Sequence, residues 1–168
     1  PITGNVSYAD HLERIAFNAL PTQATDDFND RQYFQQANQI MATRHKRNFD
    51  TDHSGTDVCF GLLTGYACCT SNMHQGWPKF TQNLWYATAD NGIAALVYAP
   101  SEAKVFVGNT EVTVKEETGY PFNETINFTL SFDKSPQGIN FPFHLRIPQW
   151  CTIGATIKVN GVQQSQYK

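Results

Sequence analysis

The spacing of apolar residues predicts a helix near the start of the chain. Between residues 7 and 20, apolar side chains recur at three- and four-residue intervals, which is typical of an amphipathic helix. Ser7 is the expected N-cap of this helix, and Asp10 stands at the capping-box position. Pro21 is expected to end the helix, because proline cannot continue it.

A second helix is predicted from residue 73 onward, where apolar residues again recur at helical spacing. The recurring positions are Met73, Trp77, Phe80 and Leu84. Pro78 then falls in the first turn, where its missing N–H does no harm. Trp77, Phe80 and Trp85 are expected to lie in the core of this helical part. Residues 22–58 between the two helices show no sustained period, although 33–40 allows an extended or strand-like piece. This predicts either a functional loop or a segment that packs against something absent from the sequence.

After residue 89 the period changes to the alternation of β-strands. A turn signal, Asp90-Asn91-Gly92, precedes the predicted strands at 92–99, 104–107, 111–115, 125–132, 141–147 and 156–159. In 141–147 the apolar residues are expected to point inward, which leaves His144 and Arg146 pointing outward. Asn160 followed by Gly161 is a strong hairpin signal. Short strands at this spacing predict an antiparallel β-sandwich.

The two patterns predict two structural units, a helical part over 1–89 and a β-sandwich over 90–168. One or two helices cannot close a core, and only seven residues follow the Asn160-Gly161 turn. The sequence is therefore expected to be incomplete at both ends.

The composition is that of a folded protein with an uncharged polar surface. Of 168 residues, 40% are hydrophobic and 16% are charged, and the net charge of −3 does not fit a nucleic-acid-binding protein. No apolar run is long enough to span a bilayer, so no membrane is expected. Four cysteines are too few for a disulfide-built scaffold. Sequons at Asn5, Asn123 and Asn127 favour a secreted glycoprotein.

The densest chemistry lies in residues 68–80, which hold two adjacent cysteines, a histidine and a Trp-Pro step. Cys68 and Cys69 allow three interpretations: ordinary thiols, a strained disulfide between neighbours, or a thiolate zinc site. Asn72 is expected to cap the helix that follows. His74 either has a structural role or faces a ligand, and Glu116-Glu117 is expected to be a solvated strand end.

Several motifs together resemble the β-L-arabinofuranosidase-like glycoside hydrolases. The string Gly65-Tyr66-Ala67-Cys68-Cys69-Thr70-Ser71-Asn72 looks like the vicinal-cysteine motif of that family. The other landmarks that match in order are 4–20, 33–40, 73–80, Tyr120-Pro121, 145–150 and 158–161. By this resemblance the fold is the last part of an (α/α)6 barrel followed by a β-sandwich.

The resemblance also implies a catalytic apparatus. Family members hold zinc with three cysteines and one glutamate, and the first vicinal cysteine is the nucleophile of a retaining hydrolysis of L-arabinofuranosyl or related residues. Cys68 would then be nucleophile and zinc ligand, and Cys69 a zinc ligand. Tyr33, Asn38, Asn72 and His74 are the positions expected to contact a carbohydrate substrate.

The chain departs from this pattern upstream. The remaining glutamate and cysteine ligands and the acid/base glutamate of the family precede the helix at 7–20 and are absent from the sequence. Cys59 is a candidate replacement ligand, although Cys59 and Cys151 are equally expected to be ordinary thiols or a disulfide pair. Two alternatives therefore stay open: a non-catalytic carbohydrate- or partner-binding module with structural cysteines, and an enzyme whose N-terminal part is a separate chain.

Overall fold

The computed structural model describes residues 3–35, 37, 41–42, 59–61, 67–133 and 138–165. The helices are α1 (Ser7–Arg14), which continues as a π-helical turn (Ile15–Ala19) and a 3-10 turn (Pro21–Gln23), α2 (Ala67–Met73) and α3 (Gly76–Gln82). The strands are β1 (Asp30–Arg31), β2 (Phe60–Gly61), β3 (Trp85–Ala87), β4 (Ile93–Ala95), β5 (Ser101–Val107), β6 (Thr110–Thr118), β7 (Ile126–Phe132), β8 (Phe143–Leu145), β9 (Lys158–Val159) and β10 (Val162–Gln163). None of the described helices is long and apolar enough to cross a membrane.

The first predicted helix is present, but its two ends differ from the prediction. The N-cap is Val6, which makes no side-chain cap bond, and not Ser7 as expected. Ser7 lies inside the helix, and its N–H donates to Oδ1 of Asn5. Asp10 does not form a capping box, since its carboxylate is engaged by a distant arginine. Pro21 opens the 3-10 turn, and helical winding ends only when Ala24 becomes extended.

The strands form two three-stranded sheets and two short ribbons. One sheet has the order β5-β6-β7 and is antiparallel throughout. The other has the order β3-β4-β8, in which β3 and β4 are antiparallel and β4 and β8 are parallel. The parallel pair departs from the predicted antiparallel sandwich, because β5, β6 and β7 intervene in sequence and form the long connection that a parallel pair needs. The fold is mixed, with mostly sheets and few helices.

Turn chemistry explains two of the connections. Asn91 has a φ of 60° in the turn between β3 and β4, which confirms the predicted turn there. Asn160 and Gly161 have φ values of 50° and 81°, as both central residues of a type I′ turn require. The predicted hairpin is therefore confirmed as the antiparallel pair β9 and β10.

Two charged residues are buried where exposure was predicted. The Arg146 side chain is only 1% exposed, because β8 ends at Leu145 and the alternation does not extend to the next residue. His144, inside the strand, is exposed as predicted. Glu116 is 2% exposed rather than solvated, because it shares the buried face of β6 with Val112 and Val114. The exposure expected for Glu116 and Arg146 is therefore wrong.

The core joins the helices to the sheets. Phe80 of α3 packs with Ala9, Ala16, Leu84 and Val97, and Trp77 lies against this group. Trp85 also packs against this group, as expected, although it lies on β3. Its ring stacks against Phe143, and its Nε1–H donates to Oγ of Ser101. The predicted domain boundary near residue 89 falls in the turn between β3 and β4.

Candidate thiol site

The helix α2 carries the two adjacent thiols. Cys68 is exposed and Cys69 is half-buried, because consecutive helical residues point about 100° apart. The two side chains are hydrogen-bonded. The pKa of the Cys69 thiol is raised, chiefly by burial and to a smaller extent by the neighbouring Cys68. All four cysteines are free thiols in the structure, so neither a Cys68–Cys69 disulfide nor a Cys59–Cys151 disulfide is present.

Arg31 is a candidate site residue that the sequence did not reveal. It lies on β1, pairs with Phe60 of β2 and is 6% exposed. Its positive charge acts to lower the pKa of Cys69, which places the guanidinium near the thiol pair. Among the described residues, its buried Nε has no hydrogen-bond partner. A single arginine inside an aperiodic stretch gives no sequence signal of its nearness to the cysteines.

Of the other predicted site residues that the structure describes, only Asn72 shares an element with the two thiols. Asn72 lies four residues after Cys68 on α2, so the two side chains share a helix face. The predicted cap is wrong: Gln75 is the N-cap of α3, with no side-chain cap bond. His74 is exposed in the turn between α2 and α3. Tyr33 is exposed two residues beyond Arg31, and Asn38 lies outside the described residues.

The thiols of Cys68 and Cys69 supply part of the four-ligand set that zinc requires. Two thiols in contact are soft donors of the kind zinc selects. In the described part of the chain, no group of three or more His, Cys, Asp or Glu side chains comes together. Cys59 directly precedes Phe60, the partner of Arg31 across the ribbon, so it is the thiol that the β1–β2 pairing brings toward this region. The pair fits half of a zinc site, and further ligands would have to come from other residues.

The three sequons lie at exposed positions. Asn5 and Asn123 use their side-chain oxygens to accept the backbone N–H groups of Ser7 and Thr125. Asn127 is exposed on β7, an edge strand of its sheet. Glycosylation at these sites stays a prediction.

Residues 92–168 match the family model described as "Beta-L-arabinofuranosidase, GH127 middle domain". The fold is similar to the crystal structure of a GH127 β-L-arabinofuranosidase from Geobacillus stearothermophilus T6, with a TM-score of 0.68 and 19% identity. That match covers 98% of this chain and 24% of the other, so the chain spans about a quarter of the enzyme it matches. No curated protein matches.

The sequence match covers residues 92–168, and the fold match also extends over the helices that carry the thiols. Residues 92–168 are therefore similar in sequence to the GH127 middle domain, and the chain has a fold similar to part of a GH127 β-L-arabinofuranosidase.

Proposed function

We propose that this chain is part of a retaining glycoside hydrolase in which the Cys68 thiolate is the nucleophile. The observation that carries the proposal is an exposed Cys68 thiol that is hydrogen-bonded to the Cys69 thiol, with the buried Arg31 cation nearby. The thiolate is the reactive form of cysteine. The charge of Arg31 acts to lower the pKa of the adjacent Cys69 thiol, against the larger effects of burial and Cys68, which raise it. The GH127 match supports a carbohydrate as the substrate, and we propose terminal L-arabinofuranosyl or related residues.

The proposed reaction has two displacements. In the first, Sγ of Cys68 bonds to the anomeric carbon while the bond to the leaving-group oxygen breaks, and a general acid protonates that oxygen. In the second, the deprotonated form of that acid takes a proton from water, the water oxygen bonds to the same carbon, and the sulfur leaves as thiolate, so that the sugar is released with net retention. We propose that Asn72, which is on the same helix face as Cys68, contacts sugar hydroxyls. Tyr33, Asn38 and His74 are proposed as further substrate contacts.

Zinc is the proposed cofactor, with Cys68 and Cys69 as two of its ligands. Bound zinc would keep the sulfurs deprotonated near neutral pH. The acid/base group and the remaining ligands are not among the residues assigned above. We therefore propose that residues 1–89 belong to an (α/α)6 barrel, that residues 90–168 form a sandwich beside it, and that the 168-residue chain is inactive alone. Its partner would be the N-terminal part of the same enzyme, and its expected location is extracellular.

The test is Cys68→Ser in the enzyme that contains this chain together with its N-terminal part, assayed on an aryl β-L-arabinofuranoside with zinc content measured by mass spectrometry. We expect a loss of at least about 10³-fold in kcat, as removal of a nucleophile commonly gives, together with loss of zinc. Cys151→Ser is the matched control, since it removes a thiol near the other end of the chain, and it should change neither quantity. Full activity in Cys68→Ser would refute the proposal. Metal-free thiols in an inactive, folded protein would favour the non-catalytic binding module instead.

A further inference from the structure

We propose that a pocket beside Trp150 is a second binding site, for neutral carbohydrate. The pocket has a volume of about 440 Å³ and is lined by Asp10, Glu13, Arg14, Gln149 and Trp150. This volume lies within the range of small-ligand sites. The proposal goes beyond the proposed hydrolysis, and its binding test does not depend on the role of Cys68.

Trp150 supplies the flat apolar surface. One face of the indole stacks on buried Tyr120, with ring centroids 6.3 Å apart and planes inclined by 21°. The indole Nε1–H donates to Oε1 of Glu13 at 2.9 Å, which fixes the in-plane orientation of the ring. Trp150 is nevertheless 57% exposed. A rigid aromatic ring with an open face offers the apolar side of a sugar ring a stacking surface.

The polar groups around the ring are held in place and retain acceptor capacity. Oδ1 of Asp10 accepts bonds from Arg146 and from the backbone N–H of Gln149. Oε2 of Glu13 accepts a bond from Arg146. A carboxylate has about four acceptor sites, so Asp10 has room for sugar hydroxyls after these two bonds. Gln149 adds an amide side chain that both donates and accepts.

The charges favour an uncharged ligand. The carboxylates of Asp10 and Glu13 are balanced by the guanidinium groups of Arg146 and Arg14, the latter exposed at the pocket. A cationic or anionic ligand therefore gains no net attraction, whereas a polyhydroxylated neutral ligand can use both donors and acceptors. Anchoring of α1 explains the ion pairs, but it does not explain why a large aromatic ring beside them stays open to solvent.

The test is calorimetric titration of the intact protein with short arabino-oligosaccharides, and with oligogalacturonate as the charged comparator. We expect binding of the neutral probe only. Trp150→Ala should weaken it about tenfold or more. Gln149→Ala keeps the backbone bond to Asp10 and should weaken binding several-fold, which provides a second test if Trp150→Ala fails to fold. Phe122→Ala removes a 98% exposed ring that does not line the pocket and should bind like the wild type.

The binding result is separable from the hydrolysis result. Cys68→Ser should bind the neutral probe at Trp150 with unchanged affinity whether or not it has lost hydrolysis. Absence of binding to the wild type would overturn the proposal and indicate that another part of the protein covers this surface. Equal binding of the charged probe would also overturn it, as would unchanged affinity in both Trp150→Ala and Gln149→Ala.

Discussion

The buried carboxyl of Glu116 should make the free energy of unfolding depend on pH. One oxygen, Oε1, accepts the backbone N–H of Ala99 at 3.0 Å, and the Ser101 hydroxyl also bonds to the carboxyl. Among the described residues, Oε2 has no hydrogen-bond partner. Burial therefore raises the pKa of Glu116 to about 7, although the bonds from Ala99 and Ser101 lower it. The ionisable side chain that faces it is Tyr98, whose pKa is itself raised to about 12, chiefly by burial.

The sign and size of the effect follow from this difference. The carboxyl of the folded protein keeps its proton to a higher pH than the unfolded chain, whose glutamate titrates near its ordinary value of 4.5. The folded state therefore binds more protons between these two values, and the free energy of unfolding falls as pH rises through that window. One pKa unit corresponds to about 1.4 kcal/mol, so raising the pH from 5 to 8 should cost about 2 kcal/mol at this site.

The assay compares the wild type with Glu116→Gln by urea unfolding, followed by tryptophan fluorescence, at pH 5 and at pH 8. The amide does not titrate, so Glu116→Gln should gain about 2 kcal/mol relative to the wild type between the two pH values. Glu117→Gln is the matched control: its side chain is 57% exposed on the neighbouring position, and its difference from the wild type should not change. If the difference between Glu116→Gln and the wild type were equal at both pH values, the reasoning would be refuted.

Two further changes test the packing and the turn. Arg146→Met leaves the buried carboxylate of Glu13 and the partly buried carboxylate of Asp10 without this counter-charge and should lower the free energy of unfolding by about 3 kcal/mol. Lys115→Met breaks an exposed ion pair and should cost under about 1 kcal/mol in the same urea experiment; equal losses would contradict the burial argument. Gly161→Ala has open space around the new methyl group but a φ of 81°, so a loss of about 1 kcal/mol from backbone strain should appear in thermal unfolding. An unchanged melting temperature would show that the turn relaxes without cost.

Local signals in the sequence predicted the elements whose cause is local. The Asn160-Gly161 turn is one example, since its conformation depends on the two residues that form it. Val112, Val114 and Glu116 alternate along β6 and share its buried face. The charge of Glu116 favoured an exposed position instead. Residue type and strand period conflicted, and the period proved decisive because a strand cannot turn one side chain outward alone.

Contacts between distant segments could not be predicted in this way. Arg146 meets Asp10 and Glu13 across more than 130 positions, and no spacing rule connects such residues. Arg31 likewise lies near enough to act on the pKa of Cys69 although 38 positions separate the two residues. Resemblance to a family supplied the thiol pair, but the family's motif does not mark the arginine, so the most specific electrostatic feature of the candidate site comes from the fold.

These distant contacts also determine where the candidate nucleophile sits. The ring of Phe80 on α3 packs edge-on against Phe17 in the turn that follows α1, with centroids 5.8 Å apart. Arg146, just after β8, holds α1 through Asp10 and Glu13. The helix α2, which carries Cys68, directly precedes α3. The position of Cys68 relative to the sheets therefore depends on the contact of α3 with Phe17 and on the attachment of α1 to Arg146. A hydrophobic replacement of the ion pairs could be as stable, but ion pairs accept fewer relative orientations, and we infer that they fix the orientation of α1 on the sheet.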